Sequence, residues 1–594
     1  MRIMFLKLCF VMILGAVLVR LFYWQVIRFD DLSVLADQQH LTTQNIEGYR
    51  GLIFSSDGAI LASNKPTFLL YGLPQAIKDK EEVSSKLAKM VTAAHFQKSL
   101  EQKKRQQILA VEESSPSAFP DSQPDPKDVL DLQMKYKSQL SQDLQWVSLE
   151  KGLSLNTKKQ IEDLNLLGIG FDGEMSRFYP EASMSANLLG FVGSDQLGKQ
   201  KGYFGVEGFY NGQLKGVGGV LTEEKDAQGL PILMGRFVKK DPKQGRDVVL
   251  NLDRAIQYLV EKNLKEGVKK YGAKSGSAVV MDPKTGAILA MASFPNYDAN
   301  NFADFSKDYY RNPVVADTYE PGSTFKVLVM ASAINESLVK PDTECDACSG
   351  PVTIADYIIR TWNNKYYSNT TMTDVLVHSD NTGMVFISRK LGLEKMYKYI
   401  ADFGFGAVTG IDLQDETSPD IRNRDDWKEI DLATSSFGQG VAVTPIQMVR
   451  AVSVIANGGY LMEPQVAREI KDGEKITEIK PKIVGRPISS ETAKVVTEMM
   501  VQAVERGEAK IFAPMGFRIA GKTGTAQIPV AGHYDPTKTI ASFVGFAPAD
   551  NPKFVMLVKY TEPSSSIFGA ETAAPTFFAI AKELLPYFNV IPSE

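Results

Sequence analysis

Residues 275–293 read SGSAVVMDPKTGAILAMAS. Two apolar runs flank Asp-Pro-Lys-Thr-Gly, which predicts two strands joined by a tight hairpin. The preceding residues, VVLNLDRAIQYLVEKNLKEGVKKYG, predict a strand running into an amphipathic helix. The same pattern returns at the far end. Residues 517–527, 540–547 and 553–560 are strand-like, and a helix is expected over about 570–585. The interval 303–500 is mostly helical in pattern. Strands at both ends with helices between them predict one mixed α/β domain over 245–590, its sheet completed by both termini and flanked by helices.

Working outward, residues 50–64 (RGLIFSSDGAILASN) carry a strong hairpin signal at Ser55-Ser56-Asp57-Gly58. Residues 76–164 are charged and helical in pattern. They are interrupted by EESSPSAFPDSQPDPKD at 112–128, which reads as a solvated loop inside an insertion. From 168 to 240 glycine is frequent and strands are short. The region 29–240 is therefore expected to be an extended, non-enzymatic α+β pedestal carrying the helical insertion 76–164.

At the start, residues 3–24 form an apolar or aromatic stretch of 22 residues broken only by Lys7 and Arg20. A helix of that length spans a hydrocarbon core of about 30 Å. Its apolar centre, residues 8–19, would also suit a cleaved signal peptide. No small-x-small site follows, so the expectation is an uncleaved anchor over 8–26 behind a short cytoplasmic tail, 1–7. Arg2 and Lys7 favour a cytoplasmic N-terminus. Arg20 either snorkels to the outer headgroups or meets a partner helix. No other stretch reaches 18 apolar residues, so the remainder is expected outside the cytoplasm.

The 594 residues allow three or four domains, and shares of 44% apolar and 23% charged residues are those of a folded protein. This excludes wholesale disorder and a polytopic membrane protein. Charge is nearly balanced, 66 − 70 = −4, with no Lys/Arg block, which argues against nucleic acid as a partner. Three cysteines and four scattered histidines supply neither a disulfide framework nor a metal centre. Cys345 and Cys348 are either a local loop disulfide or two inert thiols.

Three short motifs carry the chemistry. In YEPGSTFK (319–326), Pro321 and Gly322 mark a turn before an apolar run, placing Ser323 near the start of a buried helix with Lys326 on the same face. A serine hydroxyl needs a neighbouring base, and a desolvated lysine beside another cation can serve as one. The helix start also offers free N–H groups to an oxyanion. Ser379, 56 residues on, opens Ser379-Asp380-Asn381 and supplies a hydroxyl and an amide. Lys522-Thr523-Gly524-Thr525 follows on a strand, with a glycine that permits close ligand approach and side chains suited to a carboxylate. S-x-x-K, S-D-N and K-T-G in this order are the signature of class A β-lactamases and penicillin-binding proteins.

The chain resembles the class B penicillin-binding proteins, monofunctional peptidoglycan D,D-transpeptidases, over nearly its whole length. Arg50-Gly51 with Asp57-Gly58, Arg177-x-Tyr179-Pro180 and Gly205-x-Glu207-Gly208 look like that class's pedestal motifs. SSFGQG at 435–440 with Thr444-Pro445 resembles its active-site-adjacent segment. The insertion 76–164 matches no motif of the class.

This resemblance implies the penicillin-binding transpeptidase fold and a set of roles. Ser323 is the nucleophile that expels the terminal D-Ala of a stem peptide, and Lys326 is its base. Ser379 and Asn381 pass a proton to the leaving amine and hold the lysine and the substrate amide. Lys522, Thr523, Gly524 and Thr525 bind substrate, with Lys522 and Thr525 on its carboxylate. The N–H groups of Ser323 and Thr525 form the oxyanion hole. It implies stem peptides and β-lactams as ligands, a polytopic membrane glycosyltransferase within a wall-synthesis complex as partner, and no cofactor or metal.

The alternatives are a D,D-carboxypeptidase or β-lactamase-like hydrolase, and a non-enzymatic β-lactam sensor or scaffold. A division role is favoured over elongation. No G-x-S-x-G elbow occurs, so His378 beside Ser379 is expected to be a packed or surface histidine. Asp380 is expected to be structural, Glu207 a member of an ion pair, and Glu416 a surface loop residue rather than the carboxylate that activates a deacylating water.

Overall fold

The computed structural model describes residues 2–46, 48–109, 123–196, 198–226, 232, 237–530 and 533–592. The chain divides into two compact units. One comprises Met1–Gly51, Tyr210–Val248 and Glu469–Glu478. The other comprises Leu52–Phe209, Val249–Arg468 and Ile479–Glu594.

In the first unit, the helix Arg2–Phe22 continues as a π-helical turn, Tyr23–Ile27. Residues Arg2–Ile27 form a helix long and apolar enough to cross a membrane. Lys7 lies inside this helix. Three strands follow in a small antiparallel sheet, in the order Leu41–Ile46, Gly219–Glu224, Phe237–Lys240. Arg50 Nη1 donates to Asn211 Oδ1 at 2.9 Å. A Cβ on Gly51 would lie 1.9 Å from the Arg246 carbonyl oxygen, so only glycine fits. That packing accounts for the Arg-Gly pair singled out in the sequence.

In the second unit, the predicted hairpin forms between Ile53–Phe54 and Ile60–Gly72. Gly58 has φ +84°, and Asp57 Oδ1 accepts hydrogen bonds from Ser55 Oγ and the Ala59 N–H, closing the turn. The insertion is a helix-on-sheet layer. Helices Lys80–Leu109 and Pro126–Leu140 share a core of Leu87, Val91, Tyr136 and Leu140 with Leu70 and Leu149 of the strands beneath. The expected loop 112–128 falls mostly outside the described residues. Its last three residues are helical instead, because Asp125 caps the Lys127 N–H and Pro126 occupies the first turn. Arg177 Nε meets Glu207 Oε1 at 2.6 Å, both side chains buried, as expected of a structural pair.

The central sheet has five antiparallel strands in the order Ile288–Phe294, Ser275–Met281, Phe554–Thr561, His533–Ala547, Ala520–Val530. Strands from both ends of the segment therefore lie side by side. Ser275 pairs with Thr561 and Met281 with Val555. One face packs on helices Arg254–Tyr271 and Ala573–Tyr587 through Val260, Leu264, Phe577 and Leu584. Helices Lys326–Asn335, Asn381–Asp402, Pro445–Ala456 and Ser490–Arg506 are the longest helices described in the intervening chain. The interval 303–500 is less helical than its pattern predicts. It also contains the hairpins Val352–Ile354 with Tyr357–Ile359 and Ala467–Asp472 with Lys475–Glu478, and a pairing of Leu461–Met462 with Ile483–Gly485. Strands of two to six residues are too short to impose a period-2 signal. Cys345 and Cys348 are joined in a disulfide.

Candidate active site

Ser323 lies in a single 3-10 turn, Gly322–Thr324, that leads into helix Lys326–Asn335. The turn is held from two sides. Thr324 Oγ1 donates to the Pro321 carbonyl at 2.7 Å, and the Gly322 N–H donates to the Gly438 carbonyl at 3.1 Å. Gly438 has φ +80°, and a Cβ there would come within 2.2 Å of the Gly322 oxygen. The segment 435–440 is thus pressed against the Ser323 turn and needs glycine on both counts. Among the described residues the Ser323 hydroxyl has no hydrogen-bond partner, so it is free to rotate toward a ligand.

The Lys326 side chain is completely buried. Its Nζ reaches the Ser379 carbonyl at 2.6 Å, Asn381 Oδ1 at 2.8 Å and Ser379 Oγ at 3.4 Å. Burial and the neighbouring Lys522 cation hold its pKa well below the ordinary lysine value, against the pull of Asp380 and Glu508. Ser379 has φ +54°, a left-handed conformation rare for a non-glycine residue. Helix Asn381–Asp402 starts immediately after it. Asp380 caps that helix, accepting from the Thr382 N–H at 2.7 Å, Thr382 Oγ1 at 2.7 Å and the Gly383 N–H at 3.2 Å. Asp380 is structural, as expected. Asn381 Nδ2 donates to the Arg360 carbonyl at 2.9 Å, which fixes which amide atom faces Lys326.

On the strand Ala520–Val530, Lys522 Nζ donates to Ser379 Oγ at 3.0 Å and to Thr523 Oγ1 at 3.1 Å. Ser379 Oγ therefore lies within hydrogen-bond reach of both lysine amines. Burial lowers the Lys522 pKa to about 8, with Glu508 opposing the shift. Thr525 Oγ1 accepts from the Gly569 N–H at 3.0 Å. The structure gives Gly524 a packing reason as well. A Cβ there would meet Ser542 Oγ at 2.5 Å and Thr324 Cγ2 at 2.8 Å, so its bare face is turned to the Ser323 turn. All three motifs converge on one site, although Ser379 and Lys522 alone are 143 residues apart.

His378 stands aside from this cluster, its ring stacked on Tyr367 with centroids 4.7 Å apart. Glu416 accepts from Thr409 Oγ1 and from the N–H groups of Thr409 and Gly410, tying its own loop together. The sequence reading missed Glu320. Its carboxylate accepts from the Gly440 N–H at 2.9 Å and from Tyr534 Oη at 3.2 Å, joining the Ser323 segment, the 435–440 segment and the last hairpin. Its place three residues before Ser323 was the one available signal.

A serine on a 3-10 turn, a buried lysine with a depressed pKa, a serine bridging two lysine amines and a lysine-threonine strand meet at one site. The penicillin-binding protein transpeptidase domain matches residues 276–584, and the penicillin-binding protein dimerisation domain matches 45–250. The chain belongs to the class B penicillin-binding proteins, the serine-type peptidoglycan D,D-transpeptidases. It is 32% identical to stage V sporulation protein D of Bacillus subtilis, over 99% of this chain and 86% of that one. It is 29% identical to the peptidoglycan D,D-transpeptidase FtsI of Escherichia coli K12, over 98% and 91% respectively. The crystal structure of a peptidoglycan synthetase from Bifidobacterium adolescentis superposes with a TM-score of 0.68 at 28% identity, covering 93% of this chain and 98% of that one.

Proposed function

We propose that the chain cross-links peptidoglycan through an acyl-enzyme on Ser323, with the region 245–590 as the transpeptidase and 29–240 as its pedestal. The carrying observation is the hydrogen-bonded environment of Lys326 Nζ. Its two short bonds, to the Ser379 carbonyl and Asn381 Oδ1, use both N–H groups of a neutral amine. The lone pair is left for the Ser323 proton, and the depressed pKa makes the neutral amine accessible. Ser323 Oγ then bonds to the penultimate D-Ala carbonyl carbon while the proton passes to Lys326. Collapse of the tetrahedral intermediate breaks the C–N bond. Ser379 Oγ, in reach of both amines, returns the proton to the leaving D-Ala nitrogen. Lys522 and Thr525 hold the terminal carboxylate, and the Ser323 and Thr525 N–H groups receive the oxyanion. Thr523 keeps the Lys522 amine aimed at the site. An amine of a neighbouring stem peptide attacks the ester by the reverse proton path.

Penicillin enters the same path, because its amide and carboxylate mimic D-Ala–D-Ala. Mass spectrometry should show one penicillin on the peptide containing Ser323, persisting for many minutes, and none on Ser323→Ala. Fast release with hydrolysed penicillin accumulating would overturn the reading in favour of a lactamase. The membrane helix, single in this chain among the described residues, supports an anchored enzyme with its catalytic part outside the cytoplasm. A role in septum formation and a polytopic glycosyltransferase as membrane partner complete the proposal.

A further inference from the structure

Away from the catalytic cluster, the second unit contains a cavity of about 420 Å³ whose lining includes Arg450, Asp402, Arg486, Val408, Leu461 and Pro487. Arg450 projects from helix Pro445–Ala456, every residue of which is buried. Only 6% of Arg450 is exposed. Its Nε donates to the Met462 carbonyl at 3.0 Å, and its two Nη groups make no hydrogen bond among the described residues.

The carboxylates that offset its charge, Glu416 and Glu463, are engaged elsewhere. Glu416 binds Thr409 and Gly410, and Glu463 binds Lys482 at 2.7 Å. Nη1 faces the wall at Gly404, where an added Cβ would come within 2.9 Å of it. The Nη groups open on the cavity, where water or a ligand can accept from them. A carboxylate is the planar acceptor that fits a guanidinium edge best.

The same cavity holds an acid. Asp402 Oδ2 pairs with Lys398 across one exposed helical turn at 2.5 Å, and its other oxygen keeps its capacity to accept. Arg486 lies at the rim with its guanidinium 4.6 Å from the Tyr460 ring centroid. Val408, Leu461 and Pro487 supply apolar walls.

From this arrangement we propose that the cavity binds a small zwitterionic amino acid, its carboxylate on the Arg450 Nη groups and its ammonium on Asp402. Resting on the reaction proposed above, the amino acid at hand is the D-alanine that each acylation releases.

Calorimetry on the purified protein with Ser323 already blocked by penicillin separates this cavity from the active site. D-Alanine should bind saturably. N-acetyl-D-alanine lacks the ammonium and D-alaninamide lacks the carboxylate, so each should bind at least about tenfold more weakly. Val408→Trp, at an exposed position on the lining, should abolish binding while penicillin still labels Ser323 at the normal rate. Arg450→Met should abolish it too. Should that variant fail to fold, Val408→Trp and the two analogues decide the matter. No saturable binding of D-alanine, or equal binding of either analogue, would overturn the proposal. Because the readout is binding to acylated protein, a failed transpeptidase assay would leave this result standing.

Discussion

Lys326 and Lys522 share one hydroxyl, Ser379 Oγ, and their titrations set the pH dependence of the site. In the proposed reaction Lys326 loses its proton to activate Ser323, whereas Lys522 keeps its own to hold a carboxylate. Penicillin acylation should therefore rise with pH through the depressed Lys326 value and fall above about 8 as Lys522 neutralises. Lys522→Arg should be slower overall but lose the descending limb, because a guanidinium stays charged. A limb that persists would assign it to another group. The sign for stability follows from the same shift. The unfolded chain binds more protons than the folded one between about 8 and 10.5, so this lysine's destabilising burial is relieved as pH rises through that window. Ser323→Ala, Lys326→Ala and the double variant should lose similar amounts of acylation, because members of one catalytic device do not act additively. Multiplying losses would reduce Lys326 to a packing role.

Two elements position these residues. Segment 435–440 contacts the Ser323 turn through glycine, so Gly438→Ala must move one or the other. We expect acylation to fall more than about tenfold, about 1.4 kcal/mol in barrier, with little change in circular dichroism. Wild-type acylation would show the contact to be dispensable. Helix Asn381–Asp402 begins on Asp380, which accepts three hydrogen bonds in a buried setting. Asp380→Ala should lower stability by about 1–2 kcal/mol in denaturant titration, the range for a lost cap. It should also slow acylation, since Ser379 and Asn381 flank the cap. Full acylation with lowered stability would separate the cap from the site.

At the scale of the molecule, the buried Arg177–Glu207 pair ties together chain 30 residues apart. Glu207→Gln leaves the Arg177 charge buried without its carboxylate, which typically costs about 3–5 kcal/mol. The melting temperature should drop while folded protein still labels with penicillin. Loss of labelling in protein that remains folded would give Glu207 a direct role. The membrane helix makes a second whole-chain prediction. Residues 2–27 should remain in the mature protein, and a reporter fused after Glu594 should face outside. A mature N-terminus beyond Arg20 would refute the anchor.

Much of this was legible in the sequence because it is written in local patterns. The hairpin at 275–293, the capped helix after Asp253 and the apolar N-terminal run each follow from residues within a few positions of one another. The three motifs were legible as short residue patterns, and the structure brings Lys326, Ser379, Asn381 and Lys522 of all three together. The short strands at 352–359 and the helical end of the insertion loop were misread, because two or three residues carry no period and a Pro-rich run also suits a helix start. What only the tertiary structure decided involves partners distant in the chain. Lys326 is depressed because burial strips it of water and Lys522 faces it. Glu320 matters because Gly440 and Tyr534 meet its carboxylate. Gly524 is required because Ser542 and Thr324 fill the space beside it, and Arg450 opens on a cavity because segments 401–408 and 484–487, distant in the chain, form its walls. Desolvation and packing depend on what the folded chain brings near, and no local pattern encodes that.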